Sequence, residues 1–414
     1  MWKLLRENRD IRLLFSAQVV SYLGDWFTFV ALAGLVEDAT GSKFLVSLVM
    51  VAFSLPSFLA SPIAGPTADR YDRRKLLIGV SMLQAIAAFG LVTSNDSRIW
   101  LAFLFQSSIS ALAAFIRPAS EAALPNLARN EDELAKANSL LGATWGIMLA
   151  VGAGLGGLFA QSFGRTAAFV ADGITFVIAA ILFGAINTKM QEHRTHQAGD
   201  AKRPRMRPLD DMKEAMHLAR KDTVILALVA SKTTFAIGAG IVSQLAVLAS
   251  DVFKAGDAGR GLLIGVRGVG SGLGPIIGAR LVKGNLQRLI LVCGLAGLFF
   301  SVFYLGASVS PNIAVAGVFV ALAHFGGGAQ WTLSSYGLQM RSPDAVRGRV
   351  IAGDFAIVTL MLSVSSAASG LVADAIGVRL TIAIFAIAAA LASIAYLVLT
   401  KSIRERLRIE QQRS

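Results

Sequence analysis

Apolar residues follow one another along this chain in long blocks that are separated by short polar stretches. A helix needs about 20 mostly apolar residues to cross about 30 Å of hydrocarbon, and twelve blocks reach that length. The fold class is therefore predicted to be an all-α polytopic membrane protein. Its predicted helices lie at 11–36, 44–67, 75–94, 99–118, 138–160, 165–187, 223–250, 259–282, 287–308, 312–338, 350–373 and 377–400.

Lysine and arginine are divided unequally between alternate connections. The termini and the connections on their side hold 31 of them, and the opposite side holds six. Cytoplasmic loops retain basic residues, so the pattern places both termini in the cytoplasm and predicts an integral plasma membrane protein, a bacterial inner-membrane one. The same bias accounts for the net charge of +13, with membrane lipids rather than nucleic acid as the neighbours.

The longest polar stretch divides the chain in two. We predict an N-terminal six-helix half at 1–188, a cytoplasmic linker at 189–222, a second half at 223–400 and a basic cytoplasmic tail at 401–414. His193 and His196 in the linker are interpreted as part of a solvated tether rather than as metal ligands.

Glycines recur at matching intervals in the two halves. Gly65 and Gly157 are separated by the same 92 residues as Gly278 and Gly370, and Gly65 and Gly278 by 213. Such spacing indicates inverted three-helix repeats within a six-plus-six helix arrangement.

Composition argues against an enzyme. Of the residues, 55% are hydrophobic and only 16% charged, and there is one cysteine. No phosphate-binding GxxxxGK[ST], HExxH or GxSxG pattern occurs, so we expect no catalytic activity, cofactor or metal. A GxGxxG match lies inside an apolar helix and is interpreted as a helix-packing motif. That motif comprises Gly152, Gly154, Gly156 and Gly157.

The segment 65–75, GPTADRYDRRK, resembles the GxxxDRxxRR signature of the major facilitator superfamily. Residues 24–26 (GDW), 117–139 and 347–350 (RGRV) are similar to its macrolide-efflux and enterobactin-exporter branch. The resemblance covers essentially the whole chain and implies an alternating-access carrier that exports small molecules, usually against proton entry. Two features depart from it: helix 5 lacks the Gly-Pro pair usual in drug antiporters, and Arg117 falls only at the end of predicted helix 4.

The charged loop after helix 2 is interpreted as a gate latch. Its charges can lock the two halves by charge-assisted hydrogen bonds in one conformation and release them in another. In the alternative, the basic residues only enforce topology. The predicted gating residues are Gly65, Asp69, Arg70, Asp72, Arg73 and Arg74.

Ionisable residues within a membrane span mark a pathway or a partner. Asp25, near the middle of helix 1, is the first candidate for the proton site, because burial in hydrocarbon favours the neutral carboxyl. Asp172 and His324 are the other proton-coupling candidates. The alternatives are a structural, hydrogen-bonded carboxylate and a packed histidine.

Lys232 and Arg267 bring positive charge to membrane depth, where an unpaired cation is unfavourable. Asp25 or Asp172 is a possible partner for either one in one conformational state. Asp354 is expected to pair with the arginine-rich loops rather than to take part in coupling.

A substrate path is expected near the bilayer midplane, lined by aromatic rings and a few amides that suit an amphiphilic guest. The alternative is ordinary packing. The residues are Gln18, Tyr22, Trp26, Phe29, Gln106, Phe115, Phe235, Gln244, Gln330, Trp331 and Tyr336.

The sequence thus predicts a monomeric secondary transporter that exports small amphiphilic molecules, drug-like or siderophore-like, by proton antiport. Its partners would be the small-molecule substrate, protons and membrane lipids. Two other functions stay open: a lipid-handling carrier of the same fold, such as one for lysophospholipids, and a transport-dead membrane receptor or scaffold.

Overall fold

A computed structural model describes residues 2–191, 222–342 and 344–413. Within these residues, twelve helices are long and apolar enough to cross a membrane, which confirms the predicted fold class. They are α1 (Arg9–Thr40), α2 (Lys43–Arg70), α3 (Arg73–Leu91), α4 (Ile99–Leu127), α5 (Glu131–Phe163), α6 (Arg165–Gly184), α7 (Thr223–Gly238, continued by Gly240–Val247 and a wider turn at Leu248–Val252), α8 (Gly256–Val282), α9 (Leu286–Ser308), α10 (Ile313–Arg341), α11 (Asp344–Ile376) and α12 (Val378–Leu399).

Two polar helices flank the twelve. A short helix, Trp2–Glu7, precedes α1, and an amphipathic helix, Lys401–Arg413, follows α12. The sequence analysis searched for long apolar blocks and therefore did not predict these two helices, because both are rich in charged residues. The predicted linker, with His193 and His196, falls almost entirely outside the described residues.

The helix ends follow local sequence signals. Asn130 and Asn312 accept hydrogen bonds from the backbone N–H groups of Glu133 and Val315, which caps α5 and α10. Gly164 and Gly377 adopt φ of 86° and 87° between α5 and α6 and between α11 and α12. Side chains are disfavoured at such φ, and the two glycines are separated by the 213 residues of the predicted repeat.

The described residues pack into two units. The first comprises residues 2–35 and 52–191, and the second comprises residues 36–51, 222–342 and 344–413. Leu14, Leu77 and Phe183 belong to the buried core of the first unit, and Leu228 and Leu289 to that of the second. Residues 36–51 therefore pack with the second unit, although they precede the predicted boundary at 188.

Residues 36–51 are held in the second unit by a carboxylate cap. The Asp374 carboxylate accepts hydrogen bonds from the backbone N–H of Lys43 at 2.7 Å and of Phe44 at 3.2 Å, and from the Ser42 hydroxyl at 3.0 Å. Negative charge at a helix N-terminus is stabilising because the first N–H groups have no partner within the helix.

A buried charge cluster holds the same residues. The Arg260 guanidinium, 2% exposed, donates to Glu37 Oε2 at 2.5 Å and also bonds Asp257. Ser250 donates to the same Glu37 carboxylate at 2.6 Å. The hydrogen bonds that Arg260 and Ser250 donate to Glu37 explain why this part of the chain packs with the second-half helices.

Glycines let helix backbones touch. A Cβ on Gly270 would lie 2.0 Å from the Ala321 carbonyl oxygen, and one on Gly274 would lie 1.9 Å from that of Phe325. Contact between α8 and α10 at this distance requires glycine at both positions. Elsewhere on the helices large apolar side chains such as Leu59 and Leu281 are exposed, which is the surface that a hydrocarbon solvent requires.

Candidate functional site

Two carboxylates meet in the first unit. Asp172 on α6 is fully buried and accepts a hydrogen bond from the Thr28 hydroxyl at 2.6 Å and a longer one from the Thr175 hydroxyl at 3.3 Å. Asp25 on α1 lies within electrostatic range of it. Among the described residues, no lysine or arginine forms an ion pair with either of these carboxylates.

Glycine brings the two helices of this acidic pair together. A Cβ on Gly24 would lie 2.3 Å from Asp172 Oδ1 and 2.2 Å from Thr175 Oγ1. Two carboxylates in a low-dielectric interior do not both ionise readily, so the pair favours a shared proton.

A charged face on α4 was missed by the sequence analysis. The helix continues through Pro118 and Pro125 to Leu127, so the expectation that Arg117 lies at the end of helix 4 is wrong. Arg117 Nε bonds Glu121 Oε1 at 2.7 Å, with the two side chains 78% and 51% exposed. Since an ion pair in a spanning helix is unfavourable against lipid, this face is suited to water. Tyr22 lies within electrostatic range of the pair.

The second unit contains a buried ion pair between α7 and α11. Lys232 Nζ bonds the Asp354 carboxylate, and the two side chains are 4% and 3% exposed. Lys232 also donates to the Ser335 hydroxyl at 2.8 Å and lies 5.2 Å from the centre of the Trp331 ring. The sequence analysis expected Asp354 to pair with the arginine-rich loops. The structure shows that this expectation is wrong, because Asp354 pairs with Lys232.

His324 is packed inside the second unit. It is 3% exposed, and its Nε2 is hydrogen-bonded to the Tyr304 hydroxyl at 2.8 Å. The Phe300 ring contacts it edge-on at 5.6 Å. These contacts match the alternative of a packed histidine. Arg267, the remaining charge at membrane depth, is likewise buried, with 8% of its surface exposed.

The loop between α2 and α3 is tied down within the first unit. Asp72 caps α3 by accepting a hydrogen bond from the Lys75 N–H at 2.9 Å. Arg73 Nη1 donates to the carbonyls of Ala122 at 2.7 Å and Met190 at 3.0 Å. Arg74 donates to the Gly184 carbonyl. Arg73 and Arg74 therefore fasten helix ends of their own unit.

Of the remaining latch residues, Arg70 forms no side-chain hydrogen bond or ion pair with the described residues. Arg70 is exposed, and a Cβ on Gly65 would meet nothing within 4 Å. The side chain of Asp69 lies outside the described residues.

The expected substrate-path residues divide by burial. Six of them are packed inside their units, at 5% exposure or less, and line no open surface there: Gln18, Trp26, Phe29, Gln106, Gln244 and Gln330. Trp26 packs against Phe29 and Phe53, for example, with ring centres 5.5 and 5.4 Å away. Tyr22, Phe115, Phe235 and Trp331 are partly exposed, and Tyr336 is 44% exposed.

Glycines of the predicted packing motif in α5 face α1. A Cβ on Gly152 would lie 3.1 Å from Trp26 Cβ, and one on Gly156 would lie 2.9 Å from Phe27 Cα. Gly157 is buried, whereas a Cβ on Gly154 would meet nothing within 4 Å. For metal binding, the residues that the structure describes contain no cluster of three or more histidine, cysteine or acidic side chains.

Twelve helices among the described residues are long and apolar enough to cross a membrane, which defines a polytopic membrane protein. The family model of the Major Facilitator Superfamily matches residues 14–320, and the chain belongs to that family. It is an integral membrane protein, as predicted.

Among curated proteins, the chain is 25% identical to macrolide efflux protein A of Streptococcus pyogenes, covering 88% of this chain and 90% of the relative. It is 22% identical to the proposed bacilysin exporter BacE of Bacillus subtilis (strain 168), covering 85% and 86%. Among solved structures, a bacterial homologue of the human lysosomal transporter Spinster matches with a TM-score of 0.72 at 14% identity, covering 96% of this chain and 97% of that one. The nucleoside transporter NupG matches with a TM-score of 0.73 at 12% identity, covering 94% and 100%.

Proposed function

We propose that this chain is a secondary active transporter that exports small amphiphilic molecules by proton antiport with alternating access. The observation that carries the proposal is the pair of carboxylates Asp25 and Asp172, which lie within electrostatic range of each other in two apolar helices and form no ion pair with a described lysine or arginine. The names of relatives that export a macrolide or bacilysin support the direction of transport.

The proton is assigned to Asp25 by the hydrogen bonds of its neighbour. Asp172 accepts hydrogen bonds from two threonine hydroxyls, and such donors favour the ionised form of a carboxylate. No described residue donates a hydrogen bond to Asp25, so the shared proton resides there. Loss of the proton then leaves two adjacent negative charges, an arrangement that favours a conformation in which water or a cation reaches them.

Water reaches this pair along the polar faces of α1 and α4. Tyr22 interacts electrostatically with Asp25 as well as with Arg117 and Glu121. These partly exposed groups form a hydrophilic strip beside the acidic pair. Protons enter and leave by this strip, and His324 has no part in coupling because it is packed.

The substrate is recognised by the partly exposed aromatic residues of each unit. In the first unit these residues are Tyr22 and Phe115, and in the second unit they are Phe235, Trp331 and Tyr336. Rings with a polar edge suit a guest that carries both apolar surface and hydrogen-bonding groups. The chain acts as a monomer in a bacterial inner membrane with both termini cytoplasmic.

Flux in proteoliposomes tests this proposal. A panel of amphiphilic drugs and a catecholate siderophore is presented with and without an imposed pH gradient, to the wild type and to Asp25→Asn. We expect flux driven by the gradient, and loss of at least about 90% of that flux in the variant, equivalent to about 1.4 kcal/mol. Asp96→Asn, which removes an exposed carboxylate from a loop, is the matched control and retains its flux.

Two outcomes would contradict the proposal. Flux that is indifferent to the gradient would make the protein a facilitator. Full gradient-driven flux in Asp25→Asn would remove that residue from the mechanism. The same assay on Asp172→Asn then decides whether the second carboxylate carries the proton alone.

A further inference from the structure

Arg267 is a buried cation that has no hydrogen-bonded partner among the residues that the structure describes. It is the twelfth residue of α8 (Gly256–Val282), roughly 16 Å along the helix at 1.5 Å per residue, and 8% exposed. Its Nε and Nη1 atoms form no hydrogen bond with any residue that the structure describes. Arginine stays protonated in proteins, so this site holds a positive charge with two N–H groups unsatisfied.

The described carboxylates of the second unit do not supply the missing negative charge. Those near the helices are engaged elsewhere: Asp354 with Lys232, Glu37 and Asp257 with Arg260, Asp251 with Lys43 and Lys254, Asp222 with Arg341, and Asp374 with the start of α2. Asp38, Glu405 and Glu410 are exposed and therefore not at this buried position. The counter-charge must come from outside the described part of the unit.

The groups around Arg267 are polar and uncharged. It interacts electrostatically with the Tyr304 hydroxyl and with the His324 ring. Ser271, one helical turn further along α8, lies 3.5 Å from His324 Nδ1. One fixed positive charge among neutral hydroxyl and imidazole groups is balanced by a monoanion rather than by a dianion such as phosphate.

An apolar wall adjoins this polar group. The Phe235 ring lies 6.4 Å from His324 and 6.2 Å from Trp331, and both aromatic residues are partly exposed. A molecule with its negative group at Arg267 would thus find aromatic surface for its apolar part in the same unit. A guanidinium binds a carboxylate through two parallel N–H···O bonds.

We propose that Arg267 is the recognition point for a carboxylate on the transported molecule, whose apolar body packs on Phe235 and Trp331. The proposal rests on the proposed function, because it names an amphiphilic monocarboxylate as the substrate class. Tyr304, Ser271 and His324 are the neutral hydrogen-bonding groups beside this recognition point.

Binding to the purified full-length protein in detergent tests the site without transport. The probes are 2-naphthoate and its neutral isostere 2-naphthamide, measured by equilibrium dialysis and by the shift in unfolding temperature. We expect the wild type to prefer the carboxylate by at least about tenfold, which corresponds to about 1.4 kcal/mol. Arg267→Gln loses this preference, and Arg267→Lys keeps part of it. Arg280→Gln, an exposed position near the end of the same helix, behaves as the wild type.

Several results would overturn the assignment. One is an equal affinity of the wild type for the two probes, and another is a full carboxylate preference in Arg267→Gln. Protection by acetate or chloride as strong as that by 2-naphthoate would mean a site for small free monoanions, not for an amphiphile. If Arg267→Gln does not fold, Arg267→Lys and Tyr304→Phe carry the test, since each leaves a folded pocket with weakened carboxylate binding.

Failure of this inference is distinguishable from failure of the proposed function. If the protein prefers the carboxylate probe but shows no gradient-driven flux, the ligand site at Arg267 is supported and proton antiport is contradicted. If neutral amphiphiles show gradient-driven flux and the protein does not prefer the carboxylate probe, proton antiport is supported and the ligand site at Arg267 is contradicted. Restoration of flux in Arg267→Gln by a second change, Asp25→Asn, would assign the counter-charge to Asp25 and overturn the ligand site.

Discussion

The two units bury opposite kinds of charge. In the first, the ionisable groups at membrane depth are acids, Asp25 and Asp172, and the hydrogen bonds that hold Asp172 come from threonine hydroxyls. In the second, two buried cations lie in ion pairs: Lys232 is paired with Asp354, and Arg260 with Glu37. A carboxyl group that accepts hydrogen bonds only from hydroxyls can change its charge by binding a proton, whereas a carboxylate beside a buried cation is held in its charged form by that cation. We therefore expect proton-coupled behaviour in the first unit and fixed charge in the second.

The largest expected contrast is between two aspartate substitutions. Asp354→Asn leaves Lys232 buried without its counter-ion, and we expect it to lower the free energy of unfolding by about 3–5 kcal/mol. Asp172→Asn keeps a hydrogen-bonding side chain beside Thr28 and leaves no cation behind, so about 1 kcal/mol is expected there. Denaturant titration in mixed micelles measures both.

A double variant is the control for this contrast. Lys232→Met with Asp354→Leu removes both charges of the pair, and we expect it to recover most of the stability lost in Asp354→Asn. Equal losses in Asp354→Asn and Asp172→Asn would show that the two units do not differ in the way proposed here.

A smaller effect is expected where residues 36–51 join the second unit. Glu37→Gln weakens charge-assisted hydrogen bonds to Arg260 and Ser250, and we expect a loss of about 2 kcal/mol because hydrogen bonds to charged groups contribute about 1.5–3 kcal/mol. The loss should be local, with faster amide hydrogen exchange in residues 36–51 and little change in α3 or α6. Asp38→Asn, an exposed neighbour, is the matched control. Unchanged exchange in residues 36–51 would contradict the role given to Glu37.

The spanning helices could be predicted from sequence because hydrocarbon selects for apolar composition over a fixed length. The end of α4 could not, because Pro118 and Glu121 look like a helix end when read locally. In the structure the helix passes through both and ends at Leu127, ten residues beyond Arg117. Neighbouring helices supply the packing that keeps such a proline-containing helix intact.

Composition also does not tell which face of a helix a side chain occupies. Gln244 and Gln330 were expected to line a path, but Gln244 donates to the Ser47 hydroxyl at 2.7 Å and Gln330 to that of Thr234 at 2.8 Å. An amide in a span fits either a path or a buried hydrogen-bond network. The grouping of residues 36–51 escaped prediction for a related reason, because no local sequence signal links Asp374 to the N–H groups at the start of α2.

The smallest expected effect tests the hydroxyl environment of the first unit. Thr28→Val removes the 2.6 Å donor to Asp172 at nearly constant volume, and we expect about 1 kcal/mol of lost stability. Loss of a donor to a carboxylate disfavours its ionised form, so the pH profile of gradient-driven flux should move toward higher pH by up to about one unit, because one unit corresponds to about 1.4 kcal/mol. Thr175→Val, which removes the longer 3.3 Å contact, should shift the profile less. If the two variants shift it equally, or Thr28→Val does not shift it, hydroxyl donors do not set the charge of the acidic pair, and the contrast between the two units then rests on the ion pairs of the second alone.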